Sequence, residues 1–502
     1  MRDPSPMLHR VLQKVVQLFG EKHVHPSAAT PPALSLNDAL AAVRPAYPAG
    51  FKGTVPERWY DESQNVKAIQ TWIAARRETD PAFDARQALQ EFADRAWYRA
   101  SPHIALALEY RAIGAKAGAL EAMTAALSCN HWDLYTQDVA ADITAWAEGA
   151  DNPRAVTDAY LQSRFCTVPF EMLETTPNGD AYVCCPSWLP IPIGNIERQS
   201  AEQIWNSPVA QELRRSILDG SFRYCSRMHC SKIGNKWLPA ADSPEAVQWR
   251  NVPVEAPLAG PKQVILSHDQ SCNLACPSCR KDFILANKEQ QDALDKVMDD
   301  FVMPVLRQAE VVKITGSGDP FGSNHFRRVL KSINRPAFPH LAVDLHTNAQ
   351  LWNERAWIEL GLAEIVRGAE VSIDAARPET YAVVRRGGDF ARLLENLAFI
   401  KELRESGQLT ELCLSFVVQA GNFREMPEFV KLGERFGADL IQFNMIRNWG
   451  TFSREEFQAH FIGSKSHPDY GAFVEVLRTP ILSSPKVAMG NVLGYADKQG
   501  ST

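Results

Sequence analysis

The chain has 502 residues, of which 45% are hydrophobic and 22% charged, and its formal net charge is −6. This composition is typical of a soluble globular protein, and the length requires two to four domains rather than a single core. The negative charge gives no electrostatic reason to expect nucleic acid as a partner, and no apolar run of about 18 residues occurs that would predict a transmembrane span.

The first 155 residues are predicted to form a helical domain. Apolar residues recur on one helical face from Met7 to Phe19, and the polar residues between them exclude a secretory signal, so the cytoplasm is the expected compartment. A short proline-rich linker at 26–32 precedes an Ala-rich stretch, residues 37–149, whose period predicts several packed helices. Because no clean repeat period is found, a scaffold or partner-binding surface is favoured over a repeat array.

Residues 156–252 form a second predicted unit, a small α+β domain. A turn at Asn178-Gly179-Asp180 separates two strand-like runs, Thr167–Leu173 and Ala181–Cys185, and an apolar stripe predicts a helix over Ser200–Leu218. Proline-rich sequence without periodicity follows, which places a boundary near Pro253. The unit contains five cysteines, Cys166, Cys184, Cys185, Cys225 and Cys230.

Beyond Pro253, strand and helix patterns alternate. The predicted strands are Gln263–Ser267, Glu310–Thr315, Leu341–His346, Ala369–Ile373, Glu411–Val418 and Asp439–Asn444. The predicted helices cover residues 287–307, 323–333, 352–360, 389–406 and 423–436. Six βα units predict an α/β fold with a parallel sheet over residues 253–450, either a partial (β/α)6 TIM-like barrel or a doubly wound sheet, followed by a tail at 451–502. Reactive groups are then expected on loops beyond the carboxyl ends of the strands.

Three cysteines meet that expectation. The stretch SCNLACPSCRKD, which follows the first of these strands, spaces Cys272, Cys276 and Cys279 as C-x3-C-x2-C. A structural zinc site requires four ligands, but the next cysteine along the chain is Cys413. A four-iron cluster held by three cysteines keeps one iron without a protein ligand, and that iron is open to a small molecule.

This motif, in this position, closely resembles the signature of the radical S-adenosylmethionine (radical SAM) enzymes. The resemblance implies that Cys272, Cys276 and Cys279 hold a [4Fe-4S] cluster whose open iron is chelated by S-adenosylmethionine. It further implies that one electron from the cluster cleaves the sulfonium, and that the 5′-deoxyadenosyl radical takes a hydrogen atom from the substrate. Ser278 stands where the family usually has an aromatic residue, which affects the adenine stacking.

Later segments resemble the same family in the same order, over about residues 260–450. ITGSGDPF resembles the glycine–acid loop, with Gly316, Gly318 and Asp319; the glycines would let the backbone approach the ligand, and the acid would accept hydrogen bonds from its amino group. LHTNAQLW resembles the turn that contributes Thr347, with Ala349 in place of a glycine. VSIDAARPETYAVVRRGGDF places Ser372 and Asp374 near the ribose or carboxylate of S-adenosylmethionine, although Asp374 is equally a helix cap. In the same segment Arg385 or Arg386 would pair that carboxylate, or lie solvated on the surface.

The second unit resembles the SPASM and twitch domains that bind auxiliary iron–sulfur clusters. Cys166, then Gly179-x4-Cys184, resembles their opening, and Cys225-x4-Cys230 resembles their closing pair. The resemblance implies that Cys166, Cys184, Cys225 and Cys230 hold an auxiliary [4Fe-4S] cluster; zinc in the same sulfurs is the alternative. Cys185 is either an alternative ligand or a spare thiol. Such domains usually follow the radical SAM core, whereas this one precedes it.

The resemblance predicts a radical SAM oxidoreductase that oxidises or cross-links a peptide or protein, with flavodoxin or ferredoxin as its reductant. A dehydrogenase or epimerase of a small molecule, such as a sugar or aminocyclitol, is the alternative enzyme. A non-catalytic iron–sulfur or electron-transfer protein is the alternative of another class. The candidate catalytic residues are Cys413, which would return a hydrogen atom but is favoured as a core residue, and Asp374.

Overall fold

The computed structural model describes residues 62–95, 99–130, 133–149, 153–186, 189, 191–225, 230–448 and 450–492. The predicted helix from Met7 to Phe19 lies outside these ranges. Within them, no helix combines the length and the apolar character that crossing a bilayer requires.

The described N-terminal part is helical, as predicted. Its helices are α1 (Glu62–Thr79), α2 (Ala85–Arg95), α3 (Ala100–Ala112), α4 (Lys116–Asn130), α5 (Leu134–Glu148) and α6 (Pro153–Gln162). The first five of them, α1 to α5, share a core in which alanines alternate with larger residues such as Ile69, Leu89 and Ile104, all fully buried. Small side chains let neighbouring helices approach closely, which explains the alanine-rich composition. The last helix crosses the predicted boundary at residue 155.

The second unit combines a small antiparallel sheet with short helices. Its elements are α7 (Val168–Glu171), β1 (Met172–Thr175), β2 (Asp180–Tyr182), β3 (Gly194–Asn195), α8 (Ala201–Trp205), α9 (Pro208–Leu218), α10 (Ser231–Gly234) and α11 (Pro244–Arg250). The strand predicted over Thr167–Leu173 is wrong for its first part, because Pro169 suits the first turn of a helix. The helix predicted over Ser200–Leu218 is two helices, because Ser207 caps a new one that Pro208 begins.

All six strands predicted beyond Pro253 are present and parallel. They are β4 (Gln263–Leu266), β5 (Val311–Ile314), β6 (Ala342–Thr347), β7 (Val366–Ser372), β8 (Glu411–Val418) and β9 (Leu440–Met445). The helices between them are α12 (Lys288–Val297), α13 (Met303–Leu306), α14 (Asn324–Ser332), α15 (Glu354–Glu359), α16 (Pro378–Val384), α17 (Phe390–Glu405) and α18 (Met426–Arg435). A π-helical turn, Met298–Val302, joins α12 to α13 just before Pro304. Helix α16 was not among the helices predicted from periodicity, although the resemblance of its segment to the radical SAM family implied a helix after this strand.

The sheet continues past both predicted boundaries of the α/β unit. Strand β1 of the second unit pairs in parallel with β4, so the small antiparallel sheet extends one edge. At the other edge, the tail contributes β10 (Val487–Ala488), parallel to β9, after α19 (Arg454–His460) and α20 (Tyr470–Leu477). The resulting order is β10-β9-β8-β7-β6-β5-β4-β1-β2-β3. The fold is therefore α/β with a mainly parallel sheet.

The two faces of this sheet differ in chemistry. Side chains at alternate positions, such as Val312, Leu345 and Phe443, are fully buried and form the main hydrophobic core. A parallel sheet covered by helices on both faces normally has continuous apolar strands. Here the intervening positions carry polar side chains that stay half-buried, including Lys313, His346 and Glu370. One face therefore packs on the helices, and the other is a polar surface beside the carboxyl ends of the strands.

Candidate functional site

The cysteine loop follows β4 and is fixed to its surroundings by backbone hydrogen bonds. The N–H of Cys272 donates to the carbonyl of Ile284 at 2.9 Å, in an isolated antiparallel bridge. The N–H of Cys279 donates to the carbonyl of Cys276 at 2.9 Å, which turns the chain between those two residues. Cys272 and Cys276 are buried, whereas Cys279 is exposed.

Each of the three sulfurs accepts a nitrogen donor. The donors are the Leu274 N–H (3.4 Å) and the Asn348 amide (3.7 Å) to Cys272, Arg385 (3.7 Å) to Cys276, and Arg280 (3.4 Å) to Cys279. Hydrogen bonds of this kind stabilise thiolates and tune an iron–sulfur centre. The loop is thus suited to thiolate rather than thiol sulfur.

Burial opposes the thiolate form unless a cation is bound. Burial, with the nearby carboxylate of Asp319, raises the pKa of the Cys272 thiol to about 12. Burial also raises the pKa of Cys276, although Arg385 opposes that shift. Thiols with raised pKa values become ligands when a metal centre displaces their protons. The donor chemistry of the three cysteines therefore fits a metal cluster.

The buried Arg280 joins two neighbouring loops. Its guanidinium donates to the carbonyl of Gln270 at 2.6 Å and to the carbonyl of Ser317, besides the sulfur of Cys279. The position of Cys279 is therefore linked to the loop after β5. Neither charge nor spacing in the sequence distinguishes Arg280 from a surface arginine, so sequence reasoning missed it.

Three non-glycine residues with positive φ lie just beyond the carboxyl ends of consecutive strands. They are Thr315 after β5 (φ 145°), Ala349 after β6 (φ 57°) and Asp374 after β7 (φ 61°). Such conformations cost about 1–3 kcal/mol each and concentrate at functional sites. Ala349 is the residue that replaces the expected glycine, and it keeps the left-handed conformation that glycine would favour. The strained positions mark this edge of the sheet as the site.

Gly316 and Gly318 lie where the protein itself leaves no room for a side chain, a requirement that the sequence did not indicate. A Cβ on Gly316 would lie 2.6 Å from the hydroxyl of Ser267, and one on Gly318 would lie 2.4 Å from the carbonyl of Asp269. These contacts are with the loop after β4 and not with open space. The glycines are required because two loops of the protein pack against each other.

Asp319 is fully engaged by the protein. One carboxylate oxygen accepts the N–H groups of Phe321 and Gly322, both at 3.0 Å. The other accepts the hydroxyl of Thr347 at 2.8 Å and the N–H of Asn348 at 2.9 Å. With four donors on a buried carboxylate, a direct contact to a ligand amino group requires one of them to leave. Asp319 therefore acts by positioning Thr347 and Asn348.

Asp374 also has a structural partner. Its carboxylate lies 2.8 Å from Arg385, in a pair with side chains only 3% and 12% exposed, and accepts the N–H of Val417 at 2.7 Å. Because its carboxylate is occupied by these partners, Asp374 is not available as a free catalytic acid or as a ligand of the ribose. Of the two candidate arginines, Arg385 is the buried one, and the exposed Arg386 donates to the carbonyl of Lys281.

Ser372 belongs to a hydrogen-bonded group on the polar face of the sheet. Its hydroxyl lies 2.9 Å from Nε2 of His346 and 3.2 Å from the hydroxyl of Ser415. Burial lowers the pKa of His346, so this ring is neutral near pH 7. Interaction with His346 and with the Lys313 ammonium, 2.7 Å away, lowers the pKa of Glu370 to about 2. The face therefore carries a half-buried ion pair beside neutral donors and acceptors.

Glu174 reaches the same face from the second unit. The register pairs Glu174 on β1 with Ile265 on β4, and Ile265 with Lys313 on β5, so all three point to one side. No hydrogen-bond partner for its carboxyl occurs among the described residues. Burial raises its pKa to about 7, although Lys313 opposes the shift. The prediction did not include Glu174, because the pairing of β1 with β4 is not local in sequence.

Cys413 also faces this polar surface. It is half-buried, next to Glu370 in the register of β7 and β8. Burial raises the pKa of its thiol to about 12, and its sulfur lies 4.0 Å from the side-chain oxygen of Gln442. Placement in the apolar core, which the sequence favoured, is therefore wrong.

The cysteines of the second unit come together. Cys184 is half-buried, and the charges of four other cysteines act on it: Cys166, Cys225, Cys230 and Cys185. Burial and these neighbours raise its pKa well above the usual value, and burial raises the pKa of Cys166 to about 12. In the part of the chain that the structure describes, no three His, Cys, Asp or Glu side chains converge closely enough for a single metal ion. Four thiolates are the ligand set of a four-iron cluster, and the same four sulfurs would also suit a zinc ion.

Comparison with known proteins places one family on the second unit and finds similar proteins over about a third of the chain. The model of the SPASM family, an iron–sulfur cluster-binding domain, matches residues 166–231. The chain is 27% identical over 180 residues to the mycofactocin maturase MftC of Mycobacterium ulcerans, covering 34% of this chain and 43% of that protein. It is 31% identical over 167 residues to the GTP 3′,8-cyclase of Alkaliphilus metalliredigens, covering 32% of this chain and 49% of the cyclase.

Among solved structures, SuiB of Streptococcus suis is similar with a TM-score of 0.32 and 15% identity, over 46% of this chain and 50% of that one. The chain spans less than half the length of the two curated relatives named above.

Proposed function

Because the chain belongs to the radical SAM enzymes that carry a SPASM iron–sulfur domain, we propose that it uses S-adenosylmethionine to oxidise or cross-link a peptide or protein. The cofactors of this family are [4Fe-4S] clusters and S-adenosylmethionine. In the proposed organisation, residues 1–155 are a helical domain, 156–252 the auxiliary-cluster domain, 253–450 a partial (β/α)6 barrel and 451–502 a tail. The barrel carries the chemistry.

One observation carries the proposal: three cysteine sulfurs, each with a nitrogen donor, lie beyond β4 next to three strained strand ends. In this proposal Cys272, Cys276 and Cys279 hold a four-iron cluster and leave one iron for S-adenosylmethionine. When bound, the cluster supplies the electron that cleaves the sulfonium to a 5′-deoxyadenosyl radical. The buried Arg385 and Arg280 hold two of the sulfurs in place and offset their negative charge.

S-adenosylmethionine is proposed to bind along the loops after β5, β6 and β7. Thr347 and Ser372 lie at the ends of β6 and β7, where a hydroxyl can contact the ribose or the amino acid part. Asp319 and the two glycines, Gly316 and Gly318, set the shape of the first loop. The neutral His346 holds the hydroxyl of Ser372, so this serine is oriented before the ligand arrives.

The auxiliary cluster is proposed to use Cys166, Cys184, Cys225 and Cys230, with Cys185 as a neighbouring thiol. Four thiolates saturate a [4Fe-4S] cluster, so this centre has no open iron. Its role is then to accept or relay the electron that leaves the substrate during oxidation. Strand β1 connects it to the core sheet, because β1 pairs with β4.

A peptide or protein substrate is supported by the SPASM match and by the similarity to a protein named as a maturase. The second candidate is a small polar molecule. It is favoured by the similarity to a GTP 3′,8-cyclase and by the polar face around Lys313 and Glu370, which suits hydroxyl or amino groups. In both cases the substrate would bind to that face, where Lys313 and Glu370 could contact its polar groups.

The first test is the iron and acid-labile sulfide content of protein purified without oxygen. We expect about eight iron atoms per chain for the wild type and about four for the variant with Cys272, Cys276 and Cys279 all changed to Ala. With dithionite and S-adenosylmethionine, only the wild type should form 5′-deoxyadenosine. Circular dichroism checks that the variant is folded. Cleavage by the variant would refute the assignment of these ligands, and a wild type that binds iron but forms no 5′-deoxyadenosine would favour an electron carrier.

The second test distinguishes the substrates. Deuterated peptides and deuterated polyols or aminocyclitols are incubated in parallel, and mass spectrometry measures deuterium in 5′-deoxyadenosine. Transfer from a peptide supports the maturase reaction. Transfer from a small molecule alone would replace it with the second candidate.

A further inference from the structure

Strand β1 of the second unit places one carboxyl on the polar face of the core sheet. Glu174 pairs in register with Ile265 of β4, which pairs with Lys313 of β5. Its neighbour Leu173 is fully buried in the core, and Tyr182 of β2 is its partner in register on the other side. Side chains in register lie on the same side of a sheet, so the carboxyl of Glu174 lies on the side of Lys313. The unit that contains the auxiliary cysteines therefore contributes to the proposed substrate surface.

The backbone next to Glu174 is fixed to the end of β4. The hydroxyl of the buried Thr175 accepts the N–H of Ser267 at 3.1 Å and donates to the carbonyl of Ile265 at 3.3 Å. The same hydroxyl lies 3.0 Å from Nδ1 of His268. Glu174 is thereby held beside the strand that leads into the cysteine loop. A group that is positioned before the substrate binds is the arrangement that efficient proton transfer requires.

Two carboxylates on this side of the sheet are neutralised by neighbouring cations. The carboxylate of Glu370 lies 2.7 Å from the Lys313 ammonium. That of Asp344 lies 2.5 Å from the Arg367 guanidinium. Glu174 is half-buried, and among the described residues its carboxyl has no hydrogen-bond donor and no cation within ion-pair distance. Because polar groups away from solvent are normally paired, the unpaired carboxyl of Glu174 is available to a molecule bound on this face.

The pKa of Glu174 suits a group that accepts a proton near neutral pH. Burial raises this pKa from 4.5 to about 7, although Lys313 opposes the shift. Three other titratable groups of the face differ. Interaction with His346 and Lys313 lowers the pKa of Glu370 to about 2, and burial lowers the pKa of His346 itself and raises that of the Cys413 thiol to about 12. A base is most effective when its pKa lies near the working pH, and Glu174 is the best matched of these groups.

We propose that Glu174 is the base that takes the proton which the substrate loses when it is oxidised. The hydrogen atom of the reacting C–H bond goes to the 5′-deoxyadenosyl radical. An O–H or N–H group on the same carbon then gives its proton to the carboxylate of Glu174, one electron leaves for the auxiliary iron–sulfur cluster, and a C=O or C=N double bond forms. This inference rests on the proposed function. It narrows the substrate, whether peptide or small molecule, to one whose reacting carbon bears a hydroxyl or an amino group.

The first test measures the carboxyl itself and requires no turnover. Infrared spectra of the cluster-loaded wild type and of Glu174→Gln are recorded in D2O at intervals from pH 5 to 9. We expect the difference between the two proteins to contain the C=O band of one protonated carboxyl, which disappears with a midpoint of about pH 7. If the carboxyl is already ionised at pH 5, it is paired or solvated, and the proposal is wrong.

The second test separates hydrogen-atom transfer from proton transfer. The wild type, Glu174→Gln, Glu174→Asp and the control Glu359→Gln, a carboxylate on helix α15, receive the deuterated substrate from which the wild type transfers deuterium. Glu174→Gln should keep deuterium transfer to 5′-deoxyadenosine within about twofold but form oxidised product about 100-fold more slowly. Glu174→Asp keeps a carboxylate and should recover part of that loss, and the control should match the wild type.

The pH dependence of product formation has a defined sign. The carboxylate is the form that accepts a proton, so product formation by the wild type should increase with pH up to about 7 and then level off. The slow reaction that remains in Glu174→Gln should lack this dependence. A purely structural role of Glu174 would change stability without removing the pH dependence of product formation.

Unchanged product formation by Glu174→Gln would overturn the proposal. So would a higher KM at an unchanged kcat, since Glu174 would then bind the substrate without taking its proton. An equal loss of deuterium transfer and product would likewise assign Glu174 to substrate binding or to the fold. If the wild type transfers deuterium from no substrate, the proposed function fails and this inference fails with it. That result differs from a wild type that transfers deuterium beside a variant that oxidises the substrate normally, which refutes the inference alone.

Discussion

Arg385 and Asp374 form a buried ion pair, 2.8 Å apart, that joins the cysteine loop to the core sheet. Asp374 holds an unusual backbone conformation beyond β7 and accepts the N–H of Val417 from β8. Arg385 donates in turn to the sulfur of Cys276. One guanidinium therefore connects two strands to a proposed cluster ligand.

Removing Arg385 should be costly because Asp374 is then left as an unpaired buried charge. We expect Arg385→Gln to lower the free energy of unfolding by about 3–5 kcal/mol. The control is Arg377→Gln, which breaks a pair with Glu428 whose side chains are 58% and 42% exposed and should cost at most about 1 kcal/mol. Urea unfolding followed by circular dichroism measures both. Equal losses in the two variants would contradict the structural role of the pair.

Asp319→Asn tests the carboxylate that fixes Thr347 and Asn348. An asparagine side chain has only one acceptor oxygen. Its NH2 group would face N–H or O–H groups that now donate hydrogen bonds to the carboxylate. We expect a loss of about 1–3 kcal/mol of stability and a roughly tenfold higher dissociation constant for S-adenosylmethionine. In the matched control, Asp389→Asn, the residue caps α17 through two backbone N–H groups, and asparagine is an equally good cap. Equilibrium dialysis with labelled S-adenosylmethionine gives the affinities. If Asp319→Asn binds S-adenosylmethionine as tightly as the control does, Asp319 does not position Thr347 and Asn348 for the ligand.

Ala349 combines full burial with a φ of 57°. Ala349→Gly relieves strain of about 1–2 kcal/mol but loses a buried methyl group worth about 1 kcal/mol, so its stability should stay within about 1 kcal/mol of wild type. Ala438→Gly, at a fully buried alanine without positive φ, should lose about 1 kcal/mol with no compensation. Thermal unfolding of both variants decides this, and a larger loss at Ala349 than at Ala438 would show that the strain is unimportant.

The strands and the cysteine motif were predictable because their signals are local. Strand β8 matched its predicted range, Glu411–Val418, since the apolar pattern and the flanking turns bound it on both sides. The spacing of Cys272, Cys276 and Cys279 likewise lies within eight residues. The position of β10 was missed, because a strand of two residues carries no periodic signal.

The functions of individual side chains were harder to predict because they depend on contacts between distant segments. The reason for Gly316 and Gly318 lies in the loop after β4, some 50 residues earlier. The partners of Asp319 come from the loop after β6. Asn348, next to the predicted Thr347, was recognisable as part of the same segment, yet only the fold shows its amide 3.7 Å from the sulfur of Cys272.

The two adjacent cysteines of the second unit should differ in iron binding. Cys184 lies close enough to the other four thiols for their charges to act on it, so Cys184→Ser should remove the auxiliary cluster and lower the iron content from about eight to about four atoms per chain. Cys185→Ser should keep about eight, because four ligands remain. Iron and sulfide analysis of both variants measures this. A loss of iron only in Cys185→Ser would exchange the two assignments.

Glu174 makes a pH-dependent contribution to stability whose sign follows from its burial. Burial raises its pKa from 4.5 to about 7. Below pH 4.5 the carboxyl is protonated in both the folded and the unfolded chain, and burial of its charge costs nothing. Between the two values the unfolded chain loses the proton and the folded chain keeps it, so stability falls as the pH rises. Above pH 7 the carboxyl is charged in both the folded and the unfolded chain. Burying that charge then lowers the free energy of unfolding by its full amount, at most about 3 kcal/mol.

The variant Glu174→Gln has no ionisable group at this position. The difference between its free energy of unfolding and that of the wild type should therefore increase, in favour of the variant, by up to about 3 kcal/mol between pH 4.5 and 7, and stay constant above pH 7. Glu359→Gln provides a control of opposite sign. The hydrogen bonds from Lys331 and Arg327 lower the pKa of Glu359 to about 2, so wild type should gain stability over this variant as the pH rises from 2 to about 4.5. Urea unfolding at intervals from pH 2 to 8.5 measures both variants against the wild type. The result for Glu174 also tests the pairing of β1 with β4, because that pairing places its carboxyl on the polar face. A pH-independent difference would mean that Glu174 is solvated and that the auxiliary domain contributes no side chain to the polar face.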